Sequence, residues 1–349
     1  MLRNRWTCAA VAWFLLVPAA EAQSIKDPDP LFQDSGIIEI LLVAPFSEIM
    51  KQRSTENEFD GRLHHTDDAG ASREFDIKIS ARGRYRLQRS VCPFAPLRLN
   101  FKKSQTGGTL FENQDKLKLV THCRNRSTRN ERLVFKEYLA YQILNQLTDI
   151  SFRVRVLRIT YQDTDDRKPQ LTTYGFFVEH KERLADRLGV KLIEAARTRV
   201  SELEPSHLNL ISVFHYLIGN TDFSPIRGSK GACCHNHVLV GANGDLLYAV
   251  PYDFDMSGIV DANYASANPR FGLSSVRQRL YRGRCANNEF LNETLEEYLQ
   301  QRDAILALPN EQVRLPKGSR KKALRYIQQF YAVIESPKKV ERQLIKECT

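Results

Sequence analysis

Hydrophobic and polar residues alternate through much of the first half of the chain. Phe75, Ile77 and Ile79 alternate with Asp76, Lys78 and Ser80, and Leu97, Leu99 and Phe101 with Arg98, Asn100 and Lys102. Leu117 and Leu119 stand beside Lys116 and Lys118 in the same rhythm, and Ile37 to Val43 is a continuous apolar run. A period of two is what a strand with one buried and one solvated face requires, so these segments predict an antiparallel sheet. At Thr128 the period becomes helical and stays so to Leu147. Thr128-Arg129-Asn130-Glu131 fits a capping box, in which the hydroxyl and the carboxylate each satisfy a free backbone donor. Two more strands are predicted at Val154 to Tyr161 and Thr173 to Val178, joined by a polar turn at Asp163 to Lys168.

The second half changes character. A short helix from Lys181 stops at Gly189, and another starts near Ser206 and runs through Leu208, Ile211, Phe214 and Leu217. Two short apolar strands follow, Val238 to Val240 and Leu246 to Val250, then amphipathic helices near Leu291 to Leu308 and Ala323 to Ile334. No internal repeat is present. Sheet, one helix, two connecting strands and a mostly helical half with a small hairpin is the order of an α+β, two-lobed protein-kinase-like fold. It predicts an antiparallel-sheet N-lobe over 23–180 with one helix at 128–147. A mostly helical C-lobe over 181–349 would carry a catalytic-type loop at 219–237 and a helical tail.

The start of the chain reads as an export signal over residues 1–22. Arg3 and Arg5 give a positive start, Ala9 to Val17 an apolar run, and Ala20-Glu21-Ala22 a small-x-small cleavage site, so a mature chain would begin at Gln23. This predicts a secreted or periplasmic protein. The apolar run is shorter than the roughly 20 residues that span a bilayer, and no second one follows, so no transmembrane segment is expected in the mature chain. Removing the signal removes Cys8 and leaves Cys92, Cys123, Cys233, Cys234, Cys285 and Cys348. An even count in an exported chain implies disulfides, with about 15 possible pairings. Adjacent Cys233 and Cys234 are expected to reach distant partners rather than each other. The net charge of +10 is spread over every segment. It favours anionic partners in general, and no nucleic-acid partner is expected.

Phosphoryl transfer needs a cation near the phosphates, metal ions bridging them, and a carboxylate that accepts the attacking hydroxyl's proton. Lys118 is on a predicted strand, and Glu137 falls in the helical stripe Leu133, Glu137, Ala140, Leu144, Leu147. A carboxylate on an apolar stripe is costly without a partner, and a strand lysine would serve, with Lys116 and Lys102 as competitors. Glu137 reaching solvent at the edge of the stripe is the alternative. Gly219-Asn220-Thr221-Asp222 ends an apolar helix, Cys233-Cys234-His235-Asn236 precedes a short strand, and Asp253 and Asp255 end another. Carboxylates at a strand's end are well placed to hold a divalent cation, whereas the plainer reading of each is a turn.

These elements resemble the CotH-type (spore coat protein H-like) kinase-like family. The likeness rests on Ser80-Ala81-Arg82-Gly83 after a strand, Asn220 and Asp222 as Asn-x-Asp, the later Asn236, and Tyr252-Asp253-Phe254-Asp255. The resemblance implies Asp222 as catalytic carboxylate, with Asp253 as main metal ligand and Asn236 and Asp255 assisting. Lys118, Glu137 and Arg82 would then serve the nucleotide. It implies ATP or another nucleotide with Mg2+ or Mn2+, and a hydroxyl acceptor on a protein or another molecule. Asp222 and Asn236 are 14 positions apart, where the usual kinase loop has about five, so the loop must fold back. There is no glycine-rich phosphate loop; Gly107-Gly108 is too short, and the Arg82-Gly83 turn is the substitute. The competing expectations are a catalytically silent kinase-like binding or envelope-structural module, and a hydrolase working through Asp222, Asp253 and Asp255. A zinc site at Cys233, Cys234, His235 and His237 is weaker, because adjacent cysteines in an exported chain suit disulfides.

Overall fold

The structure is a computed structural model that describes residues 25–67, 69–228, 232–242 and 244–349. The expected signal peptide and the start at Gln23 lie outside the described residues. Strands β1 (Ile38–Ala44), β2 (Phe59–Thr66), β3 (Ser72–Ala81), β4 (Leu97–Phe101) and β5 (Lys116–Val120) pair antiparallel in chain order. Short helices α1 (Phe46–Gln52) and α2 (Lys103–Thr106) lie in the connections. Helix α3 (Thr128–Leu147) then leads to a hairpin of β6 (Val154–Asp163) and β7 (Leu171–Val178). β7 joins β5 antiparallel and β6 joins β1 parallel, from Ile38 opposite Leu157 to Ala44 opposite Asp163.

The seven strands therefore close into a mixed barrel. This overturns the expected two-lobed protein-kinase-like fold with its antiparallel-sheet N-lobe. Two features of the chain hid the closure. β2 reads Phe-Asp-Gly-Arg-Leu-His-His-Thr, too poor in apolar residues to signal a strand, yet it pairs along its whole length with β3. The β6–β7 hairpin, read as a connection, supplies the closing edge. Closure removes open edges, and the interior is filled by side chains. Leu42, Leu63, Ile79, Leu99, Leu119 and Ile159 are fully buried, and the Phe75, Phe101 and Phe111 rings meet at 5.1–6.1 Å. Gly175 lets β7 close: a Cβ there would stand 2.8 Å from both Ile159 Cδ1 and the Val120 carbonyl oxygen.

β7 is buried on both faces, with Phe177 in the barrel and Phe176 and Val178 against the rest of the molecule. α3 covers that outer face, with Phe135 tilted against Tyr174 and Tyr138 and Tyr141 meeting Phe176 edge to face. Its cap is Ser127, whose hydroxyl accepts the Asn130 N–H at 3.3 Å, one residue before the expected Thr128. Tyr141 also meets Phe254 from the second half, at 4.6 Å. α3 thus lies between barrel and helices, and a charge on its buried face has no ready access to water.

The second half contains α4 (Lys181–Arg187), β8 (Lys191–Ile193), α5 (Pro205–Ile218), β9 (His237–Gly241) and β10 (Tyr248–Pro251). β10, β9 and β8 form a three-stranded antiparallel sheet. The helix expected over Leu291 to Leu308 is two, α6 (Leu291–Gln300) and α7 (Arg302–Glu311), and α8 (Lys317–Ile334) and α9 (Pro337–Val340) follow. Every residue of α5 from His207 to Ile218 is buried, which makes it the central helix. No helix among the described residues is long and apolar enough to cross a membrane.

Cys92 pairs with Cys123 and Cys285 with Cys348, at Cα separations of 4.7 and 5.0 Å that suit a disulfide. Cys233 and Cys234 are bonded to each other, contrary to the expectation of distant partners. With the other four described cysteines paired, each of the two has only its neighbour.

Candidate functional site

Four segments converge between the barrel and the helical half. After β3 the chain turns through Arg82-Gly83 and a short helical turn at Tyr85–Leu87, which brings in Arg82 and Arg86. After β10 it runs through Tyr252-Asp253-Phe254-Asp255. α3 contributes Glu137 and Tyr141, and β5 contributes Lys118. Asp255 is 7 % exposed, and its Oδ2 accepts Arg86 Nε at 3.3 Å and the Tyr264 hydroxyl at 3.1 Å. Burial and the Asp253 charge raise its pKa to about 6, against the pull of Arg86. Burial also opposes the Arg86 charge, but Tyr264, Asp255, Glu137 and Asp253 hold its pKa well above the ordinary arginine value.

Glu137 is buried, and its Oε1 has no hydrogen-bond partner among the described residues. Burial drives its pKa well up, opposed first by Arg86 and, more weakly, by Arg82. The cations that Glu137 faces are therefore arginines, not the expected Lys118. The Lys118 amine lies over the Tyr252 ring at 4.0 Å and 5.9 Å from the Phe152 centroid, a cation–π setting. Burial, with repulsion from Arg82, pushes its pKa down to about 7 although Asp253 pulls it up. The Arg82 Nε is buried without a partner among the described residues, and burial lowers its pKa while Asp253 raises it.

Asp253 sits among these groups. Its backbone is left-handed at φ 63°, and its N–H donates to the Tyr141 hydroxyl at 2.9 Å. A left-handed conformation is uncommon for a residue with a side chain and is worth attention at such a place. No hydrogen bond or ion pair engages the Asp253 carboxylate among the described residues.

Asp222 approaches from the loop after α5. Gly219 ends that helix at φ 65°, where a Cβ would collide with the Tyr326 hydroxyl, so glycine alone suits the turn. Asn220 Oδ1 accepts the Asp222 N–H at 2.9 Å. The long loop folds back because Ser224 and His235 exchange backbone hydrogen bonds of 2.9 Å as an isolated bridge. That sets His235 Nε2 2.8 Å from Asp222 Oδ1, and Asn236 Nδ2 donates to the Asp222 carbonyl at 2.7 Å and to Oδ2 at 3.2 Å. The bond to Asp222 raises the His235 pKa, with a further contribution from Asp253. Beneath, His215 stacks on Phe223 at 3.8 Å and faces His237, with Asn220 on its other nitrogen. Burial keeps both histidines neutral, with the His237 pKa pushed down to about 3.

Comparison with protein-family models and with curated proteins returns no match for this chain.

Arg82, Lys118, Glu137, Asp253 and Asp255 lie in one charge cluster, and Asp222 and Asn236 in the adjoining loop. Among the described residues no group of three or more histidine, cysteine or carboxylate side chains could hold a metal ion. The zinc alternative fails on its ligands, since the two cysteines are bonded together and His235 holds Asp222. A Mg2+-type ion takes one or two carboxylates and completes its shell with substrate phosphates and water. Of the expected ligands, the Asp253 carboxylate and the Asn236 side-chain amide oxygen accept no hydrogen bond among the described residues. Asp255 does not fit, because Arg86 and Tyr264 occupy it.

Sequence reasoning missed Arg86, Tyr264 and Tyr141, and took His235 for a zinc candidate. Arg86 is one of several arginines in a turn, and nothing local marks it as the one that becomes buried. The spacing of Ser224 and His235 carried no signal for their bridge.

Proposed function

We propose that this protein is an exported phosphotransferase that moves the terminal phosphoryl group of ATP or another nucleotide to a hydroxyl on a protein or other acceptor. The observation that carries this reading is the Asp253 carboxylate, unengaged on a left-handed backbone and facing the charges of Arg82 and Lys118. A fixed carboxylate opposite two under-used cations suits a ligand that carries both phosphate and a divalent ion. The motifs that resemble the CotH-type family fall in these same loops. Three disulfides suit an oxidising compartment, secreted or periplasmic.

Arg82 and Lys118 would take phosphate oxygens, and Asp253 with the Asn236 side-chain amide oxygen would hold Mg2+ or Mn2+. When bound, such an ion neutralises phosphate charge. The Asp222 carboxylate, about 40 % exposed, is held by His235 and Asn236 with room for a hydroxyl. The acceptor oxygen attacks the terminal phosphorus and its proton passes to Asp222. The bond from that phosphorus to the β–γ bridging oxygen breaks, and its electron pair leaves on the nucleoside diphosphate. His235 Nε2 orients the Asp222 carboxylate beforehand.

Thermal melts with ATP and Mn2+ test the reading. Ligand at a hundredfold excess over its dissociation constant stabilises by about 2.7 kcal/mol, so the wild-type melting temperature should rise and that of Asp253→Asn should not. No rise in the wild type with any nucleotide and metal would refute it.

A further inference from the structure

The Asp222–His235 pair opens onto a pocket of about 510 Å³. Arg227, Arg270, Arg282 and Arg284 line it, and of the described lining residues only Asp222 carries an acidic side chain. Asp222 is already paired with His235. Arg282 is held firmly: its Nη1 donates to the Thr221 and Phe223 carbonyls at 2.9 Å each, and its guanidinium lies 4.5 and 4.7 Å from the Phe223 and Phe271 rings. Among the described residues, Arg284 donates only to a hydroxyl, Thr349 Oγ1, at 3.1 Å. Burial, with the repulsion of Arg284, lowers the Arg282 pKa to about 10, as expected where cations gather without enough counter-charge.

We propose, resting on the phosphotransfer reading, that this pocket is the acceptor site and that it takes a serine or threonine hydroxyl within an acidic peptide segment. Guanidinium groups match carboxylates in geometry as well as charge. Arginines drawn from three separate stretches suit several carboxylates spread along a chain better than one small anion. The apolar walls, Phe223, Ile226 and Phe271, suit the peptide's backbone and stems. The arginines neutralise the acceptor's acids, which would otherwise repel Asp222.

The test uses two labelled peptides of equal length with one central serine, flanked by glutamates in one and lysines in the other. Binding is read by fluorescence anisotropy without nucleotide, and transfer is read separately with labelled ATP and Mn2+. The glutamate peptide should bind at least tenfold tighter, the preference should weaken with salt, and Arg270→Glu with Arg284→Glu should remove it. Equal binding, or preference for the lysine peptide, overturns the inference on wild-type protein alone, whether or not the double variant folds. Displacement of the peptide by an equal concentration of inorganic phosphate also overturns it, in favour of a small anion. Binding of the glutamate peptide with no label transferred refutes the phosphotransfer reading and leaves the acidic-peptide pocket standing; transfer to the lysine peptide alone does the reverse.

Discussion

Glu137 shows how much one side chain's setting decides. Its pKa is raised by burial more than the arginines lower it, so the folded protein holds its proton at pH values where the unfolded chain has released it. Stability therefore falls as pH rises from the ordinary glutamate value through the raised one. Glu137→Gln removes that dependence while keeping the shape. Urea melts should show the variant within about 1 kcal/mol of wild type at pH 5, with a smaller loss than wild type between pH 5 and 8. A steeper loss in the variant would mean that Glu137 works as a buried anion. Lys118 has the opposite sign: its folded pKa of about 7 lies below the unfolded value, so its contribution to stability rises with pH above 7. Phosphate placed beside it would restore the proton. Calorimetry at pH 8 in two buffers of different ionisation enthalpy should thus show proton uptake on binding ATP and Mn2+, and Lys118→Met should show less. Equal uptake in both proteins would remove Lys118 from the phosphate site.

Among the elements, α4 shows a buried charge that is paired and hydrogen-bonded. Arg187 Nε and Nη2 donate to the two Glu179 carboxylate oxygens at 2.9 and 3.0 Å, and Nη1 and Nη2 also reach the Asp149 and Ser151 carbonyls at 3.1 and 2.7 Å. The Arg153 N–H adds a bond to Glu179 at 3.1 Å. This network ties α4 to the ends of β6 and β7. Removing one partner strands the other, so Arg187→Met should cost about 3–5 kcal/mol in denaturant unfolding, and a loss below 1 kcal/mol would contradict the network's role. The same comparison shows what was legible in the chain. Strands β3, β4, β6 and β7 and helices α3 and α5 could be read because their periodicity survives burial. β2 could not, since Gly61, His64 and His65 interrupt its pattern and only pairing with β1 and β3 makes it a strand. Parallel pairing of β1 with β6 is a long-range event that local sequence does not encode, and so the barrel was missed. In the site, the carboxylates at 222, 253 and 255 could be picked out because each follows an apolar element. Of their cations, Arg82 and Lys118 could be named, whereas Arg86 could not be told apart among 51 lysines and arginines.

At the scale of the whole molecule, the barrel and the helical half meet through α3 and through the polar contact of Arg86 with Asp255 and Tyr264. Arg86 leaves the barrel on the turn after β3, and both partners belong to the segment after β10. The Cys92–Cys123 disulfide fastens the stretch that follows this turn to the end of β5. Arg86 is the leading cation acting on Glu137 and also lowers the Asp255 pKa, so one side chain keeps two buried carboxyl groups tolerable across the joint. Both carboxyls have folded pKa values above their unfolded ones, and without Arg86 both would rise further. Ionised carboxyls lacking their cation would then destabilise the fold at high pH, whereas protonated ones would not. Arg86→Met should therefore cost about 3–5 kcal/mol at pH 8 and distinctly less at pH 5, because the carboxyls take up protons as pH falls through their raised pKa values. Urea unfolding at the two pH values measures this directly, and adding Asp255→Asn to Arg86→Met should recover part of the loss at pH 8. A loss independent of pH, unchanged by the second substitution, would show that Arg86 acts by packing alone and that the two halves are joined without the help of their charges.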